Sequence, residues 1–231
     1  MRTMANSNEL DGVYKLMEQA YQGNWKYRWE GTPYFDTDKN GITEAINEHE
    51  YSCCLLWRVL RKHYPALDKE IDSAKVYEIL LTHDLGETML GDVSRYKQLH
   101  GAGAGKETSE KEAIKEIVSN INENAADEIL NMFEEFEQPA ELMTEPETVL
   151  AKLIDSLQGD HFCLTFGSNL ADNSEVIIKI VYKHTIPYAR RLYEILAEKG
   201  KAEAAGEVKD IIEQHIKEIR KAGIKIQEVN F

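Results

Sequence analysis

The chain has 231 residues, 42% of them hydrophobic and 29% charged, and its 27 Lys+Arg against 41 Asp+Glu give a formal net charge of −14. That length suffices for one sizeable core. The acidic balance argues against a nucleic-acid polymer or an anionic membrane as partner, because both are bound through counterion release onto a basic face.

A small phosphate substrate is still compatible with this charge, since one metal ion and one arginine reverse its sign locally. The cysteines are Cys53, Cys54 and Cys163. An odd count with two adjacent members is a poor disulfide framework, so a reducing, cytoplasmic setting is expected. No apolar run approaches the ~20 residues of a membrane span. The opening MRTMANSNELDG lacks the apolar core of a signal peptide.

In chain order, Asn8 to Gln22 reads as a short amphipathic helix, followed by the aromatic, irregular stretch NWKYRWEGTPYFDTDKNG. Thr43 to Tyr64 carries Ile46, His49, Cys53, Leu56, Leu60 and His63 at alternating three- and four-residue steps, the stripe of a buried helix face, and Pro65 ends it. Ser73 is the expected N-cap of a helix carrying Val76, Ile79, Leu80 and His83. HGAGAGKETSE reads as a mobile loop, lacking the preceding strand and the Lys-Ser/Thr pair of a phosphate cradle. Helices are expected over Thr108 to Ile121, Ala125 to Glu137 and Pro146 to about Phe166. Two more, IPYARRLYEILAEKG and EVKDIIEQHIKEIRKAG, each close on a glycine. KIQEVNF at the end is the one segment with strand character. The class is all-α, read as a single domain over residues 1–231.

The titratable residues on apolar faces carry the chemistry. A lone histidine on such a face is more often a core residue than a ligand. Here His49 sits mid-stripe on one helix and His83 follows Ile79 and Leu80 on another, with Asp84 directly after it. A buried carboxylate is costly unless it is paired or bound to metal. Asp155, after Leu153 and Ile154 in VLAKLIDSLQGDHF, lies at the margin of a third apolar face. Two imidazoles and two carboxylates from three helices suit one divalent metal ion, with Mn, Co, Mg, Fe, Ni and Zn all open. On a continuing helix Glu87 would share the face of His83 and Asp84 and reach a metal-bound water; alternatively it caps a helix end. Asp92 reads either as a second site carboxylate or as Gly-Asp turn chemistry. Arg28, between aromatics, reads as a phosphate contact or as a stacked side chain. His63, His100, His161, His184 and His215 are taken as structural or surface residues.

The ordered set His49, His83-Asp84, Asp155 resembles the signature of the HD-domain metal-dependent phosphohydrolases. HDLGETMLGD is similar to their 5′-nucleotidase (5′-deoxynucleotidase) branch, as are NEHEYSCCLLW, VLAKLIDSLQ and the YRW ahead of the first histidine. The resemblance covers about residues 25–166 and leaves about 167–231 as a C-terminal helical extension. It implies an HD-type helical bundle with the metal between helices, and His49, His83, Asp84 and Asp155 as ligands. It further implies Glu87 as the residue that positions or activates water, Asp92 beside the sugar and leaving oxygen, and Arg28 as a phosphate or nucleotide contact. The implied activity is phosphate release from nucleoside 5′-monophosphates, deoxy forms favoured; a homodimer is expected by analogy with small helical enzymes.

Three other readings stand beside it. Hydrolysis of a nucleoside triphosphate or guanosine polyphosphate calls for more basic residues, with Arg95 and Lys97 in reach; alarmone hydrolases carry Glu-Asp where this chain has Glu87-Thr88. A dinuclear oxygenase needs extra histidines between Asp84 and Asp155, where only His100 lies. A helical adaptor would show no metal dependence.

Overall fold

Apolar side chains at helical spacing turn nearly every segment into a helix packed on its neighbours. A computed structural model describes residues 7–32, 35, 43–168, 170 and 174–227, without the side chains of residues 7–9, 95 and 99. Helix α1 (Ser7–Ala20) runs into a 3₁₀ turn over Tyr21–Trp25. Helix α2 (Ile46–His63) buries Ile46, His49, Cys53 and Trp57: the expected face holds from Ile46 to Cys53, but beyond it Trp57 is the buried residue, Leu56 and Leu60 are half-buried and His63 is exposed. At its start the Ala45 N–H donates to Glu48 Oε2 at 2.9 Å. Pro65 stops α2 and opens the short α3 (Pro65–Glu70), where its missing N–H costs nothing.

Helix α4 (Ser73–Leu80) departs from expectation at both ends. Asp72, not Ser73, is its N-cap and accepts from Ala74 and Lys75 N–H. Ser73 instead accepts the Trp57 indole N–H at 3.2 Å. At the other end α4 stops at Leu80, ahead of His83. Side chains there take over the last carbonyls: Thr82 Oγ1 donates to Glu78 O at 2.8 Å, and His83 Nδ1 faces Leu80 O at 3.1 Å. Three-residue turns follow, with the Leu85 N–H on Thr82 O and the Glu87 N–H on Asp84 O, before the short α5 (Glu87–Leu90). His83 and Asp84 therefore sit on a tight turn, not on a continuous helix. Gly86 lets that turn approach the next layer, since a Cβ there would lie 2.9 Å from Glu110 O.

Further on come α6 (Arg95–Leu99), α7 (Lys106–Val118), α8 (Glu123–Phe136) and α9 (Pro146–Phe166). Helix α9 is enclosed on nearly all sides, burying Val149 to Ile154 and Ser156 to Asp160. A helix apolar around most of its circumference belongs at the centre of a bundle. The C-terminal third is α10 (Glu175–Ile180), a π-helical turn over Val181–Thr185, α11 (Ile186–Glu198) and α12 (Ala202–Lys221). Its Leu192, Val208, Ile212 and Ile219 join Trp57, Leu80, Leu150 and Leu153 in one core. A smaller cluster of Leu85, Ile114, Ile117, Val118 and Phe133 pins the His-Asp turn to α7 and α8.

The described residues contain no strand, only an isolated bridge between Tyr27 and Ala45. Residues 225–227 of the segment with strand character are irregular, and 228–231 lie outside the described residues. So do residues 33, 34 and 36–41 of the aromatic stretch and the Arg95 side chain. None of the described helices is long and apolar enough to cross a membrane.

Candidate metal centre

Helix α2 brings His49, the turn after α4 brings His83 and Asp84, and α9 brings Asp155 to one place. His49 Nε2 lies 3.1 Å from Asp155 Oδ1, 3.3 Å from His83 Nε2 and 3.7 Å from Asp84 Oδ2. His83 Nε2 is 3.4 Å from Asp84 Oδ2. One donor atom each of His49, His83 and Asp155 falls within 4.8 Å of the others. Asp84 stands at the edge of this trio, its Oδ2 turned toward the Arg28 guanidinium at 3.1 Å. All four side chains that the sequence pattern singles out as ligands thus converge.

The donor chemistry fits a divalent ion. Both imidazoles engage a partner through Nδ1, Gln158 Oε1 at 2.6 Å for His49 and the Leu80 carbonyl at 3.1 Å for His83. An oxygen acceptor at Nδ1 places a proton there and leaves Nε2 as the nitrogen that would ligate an ion. Burial and Arg28 disfavour charge on His49, but Cys53 and the Asp155 hydrogen bond hold its pKa well above the ordinary value, so an ion at Nε2 would displace a proton shared with Asp155. Burial holds the His83 imidazole below its ordinary pKa, which favours the neutral, ligating form. Burial alone would raise Asp84, but His83, Arg28 and His49 outweigh it and hold the carboxyl at about 2. Asp155 is held well below the usual range in the same way: burial opposes, and the His49 hydrogen bond and charge prevail.

A pocket of about 230 Å³ opens over this centre, and Arg28, Glu87, Asp92, Lys106 and Lys152 stand in its wall. Arg28 is not merely stacked on its neighbour. Its guanidinium sits 5.6 Å from the Trp29 ring, yet it also reaches Asp84 at 3.1 Å and Asp155 at 4.0 Å. Trp29 adopts φ +66°, a left-handed conformation uncommon for a bulky residue. Its N–H donates to Asp92 Oδ2 at 3.3 Å and its indole to Glu44 Oε2 at 3.0 Å. Such strain persists only where surrounding contacts over-determine it. Asp92 does not cap the next helix; Ser94 does, accepting the Lys97 N–H at 3.4 Å.

Glu87 is 4% exposed. Its Oε1 meets Lys106 Nζ at 2.7 Å, while its buried Oε2 has no hydrogen-bond partner. Burial and the nearby Asp84 charge push its pKa well above the carboxylate range, and Lys106 pulls the other way. Glu87 is therefore not a solvated helix end. Lys106 also meets Glu110 at 2.9 Å.

Nothing in the sequence spacing singles out Lys106, Glu44 or Gln158. Lys106 lies inside HGAGAGKETSE, read as a loop; Gly105 at φ +79° turns the chain into α7, so the segment is helical from Lys106 on. Glu44 and Gln158 are 114 positions apart, beyond the reach of any local pattern. Lys152 had a signal, three residues before Asp155 on one helix face. Its ammonium pairs with Glu137 at 2.7 Å and lies 3.7 Å from the centroid of the Phe136 ring. Of the five histidines taken as structural, His63, His100 and His161 are exposed, and His215 Nε2 meets the buried Asp160 at 3.1 Å.

A helical bundle with a His-His-Asp-Asp centre between its helices defines a class of fold and site, and comparison with known proteins points the same way. Residues 36–195 match the HD domain family, and the chain belongs to that family. It is 31% identical over 98 residues to a 5′-deoxynucleotidase of Dictyostelium discoideum (HDDC2), covering 42% of this chain and 50% of the relative. It is 25% identical over 115 residues to the 5′-deoxynucleotidase HDDC2 of Danio rerio, covering 50% of this chain and 52% of the relative. The chain thus spans about half the length of the curated relatives it matches. The fold resembles the crystal structure of a predicted metal-dependent phosphohydrolase from Magnetospirillum magnetotacticum MS-1, with TM-score 0.56, 17% identity, and coverage of 94% of this chain and 97% of the other. It also resembles a conserved hypothetical protein from Pyrococcus furiosus, with TM-score 0.50, 24% identity, and coverage of 80% and 97%.

Proposed function

We propose that this protein is a metal-dependent phosphohydrolase that releases phosphate from deoxynucleoside 5′-monophosphates. The observation that carries the reading is the convergence of His49, His83, Asp84 and Asp155 beneath a pocket walled by both carboxylates and cations. His49, His83, Asp84 and Asp155 would hold the ion, which would supply Lewis acidity to the phosphoryl group.

The remaining steps belong to the side chains of the pocket. Glu87 is the base, because its Oε2 is buried, unpartnered and beside the His-Asp turn, and it takes the proton of the attacking water. Lys106 favours the ionised form of Glu87 against burial and the Asp84 charge, which favour the neutral acid. Arg28 and Lys152 face the phosphoryl oxygens, where fixed positive charge offsets the charge that develops in the transition state. Asp92 accepts from the Trp29 backbone N–H and stands in the pocket wall, which supports a contact with the sugar and leaving oxygen.

The names of the two curated relatives support the monophosphate reading. Among the described residues of the pocket wall, Arg28, Lys106 and Lys152 each share their charge with a carboxylate, which suits one phosphate group better than the larger charge of a polyphosphate. The test is phosphate release from ribo- and deoxynucleoside mono- and triphosphates with Co²⁺, Mn²⁺ or Mg²⁺. Release from deoxynucleoside monophosphates supports the reading, and release from triphosphates alone overturns it.

A further inference from the structure

Two buried residues outside this mechanism, Glu44 and Gln158, form one hydrogen-bonded line to His49. Gln158 lies on α9 three positions beyond Asp155 and is 8% exposed; Glu44 is 2% exposed. Gln158 Nε2 donates to Glu44 Oε1 at 2.6 Å, which fixes the orientation of the amide. Its Oε1 is then left to face His49 Nδ1, also at 2.6 Å. An amide oxygen only accepts, so a proton lies on Nδ1, and Nε2, which faces Asp155, His83 and Asp84, is the nitrogen that would ligate an ion. Cys53 Sγ, 3.7 Å from Nδ1, is a weaker partner that cannot set the tautomer alone. The other Glu44 oxygen accepts the Trp29 indole N–H at 3.0 Å and lies 3.7 Å from Arg28 Nε.

We propose that Glu44 and Gln158 are positioning residues of the metal centre. Through Gln158, Glu44 holds His49 in its ligating tautomer and ties the Arg28–Trp29 segment to the same ligand. The two histidines are thereby held by different means. The Nδ1 partner of His83 is a backbone carbonyl, which no substitution removes, whereas that of His49 is a side chain steered by another side chain. His49 is the ligand whose orientation can be released without altering any ligand. This inference rests on the metal-site reading above.

The test is metal affinity, not turnover. Metal-free wild type, Gln158→Leu, Glu44→Gln and the double variant are titrated with Co²⁺ against a chromophoric chelator, with circular dichroism to verify folding. Gln158→Leu is expected to weaken Co²⁺ binding by about 10–100-fold, the usual effect of losing a partner behind a metal-bound histidine. The near-isosteric Glu44→Gln shifts affinity in the same direction by less, and it keeps the proposal testable if Gln158→Leu does not fold. Because the two act in series, adding Glu44→Gln to Gln158→Leu produces no further loss, whereas independent packing effects would add. Unchanged affinity in folded variants, or strictly additive losses, overturns the relay while leaving the metal site standing. A wild type that binds no Co²⁺ overturns the metal reading, and the relay with it.

Discussion

Glu87 and Lys106 form the pair on which the proposed chemistry turns. Glu87 is buried, its pKa is pushed well above the carboxylate range by burial and by Asp84, and Lys106, with a smaller contribution from Arg28, opposes that shift. Glu87→Gln keeps the shape and the contact with Lys106 but cannot take a proton. It is expected to lower kcat by about 10²–10⁴-fold with KM little changed, as a transition-state contribution should. An equal loss in KM alone would instead make Glu87 a binding residue. Lys106→Met removes the charge that favours ionised Glu87, so the Glu87 pKa rises further. Activity needs the ionised form, hence the acidic limb of the kcat/KM profile moves to higher pH while the alkaline limb stays. An unshifted acidic limb would contradict the pairing as the source of Glu87 ionisation.

At the scale of elements, α9 does two jobs, since one helix supplies Asp155 and fills the centre of the bundle. Leu153, two residues before Asp155, is fully buried. Leu153→Ala is expected to cost about 2–5 kcal/mol in urea unfolding. A cost below about 1 kcal/mol would mean that α9 is not packed as described. This double role also decided what could be read from sequence. His49 was legible because it interrupts a regular apolar stripe, and Asp155 because it borders one. The sequential His83-Asp84 pair was legible from its apolar approach. The end of α4 was not, because Thr82 and His83 bond to carbonyls of the last turn, and the apolar spacing continues unchanged across that point. Lys106, Glu44 and Gln158 were hidden for a different reason: their roles exist only as contacts across 19 and 114 positions, and each segment alone reads as loop or core.

For the whole molecule, the resemblance separates a core over about 25–166 from an extension over about 167–231, but the packing joins them. Asp160 on α9 accepts from Thr185 at 3.0 Å and from His215 on α12 at 3.1 Å, and Leu192, Val208 and Ile212 fill the same core as Leu150 and Leu153. We propose that the chain folds as one cooperative unit. A protein truncated after Phe166 should then fail to give a sharp thermal transition, because the buried face of α9 is left in water; a truncated protein that melts cooperatively near the full-length Tm would contradict this. The most direct measurement is phosphate release from a deoxynucleoside 5′-monophosphate by wild type and Asp84→Ala, with Co²⁺ and with a chelator. The account predicts release only by wild type with Co²⁺. Equal release by Asp84→Ala, or by wild type in chelator, would contradict it.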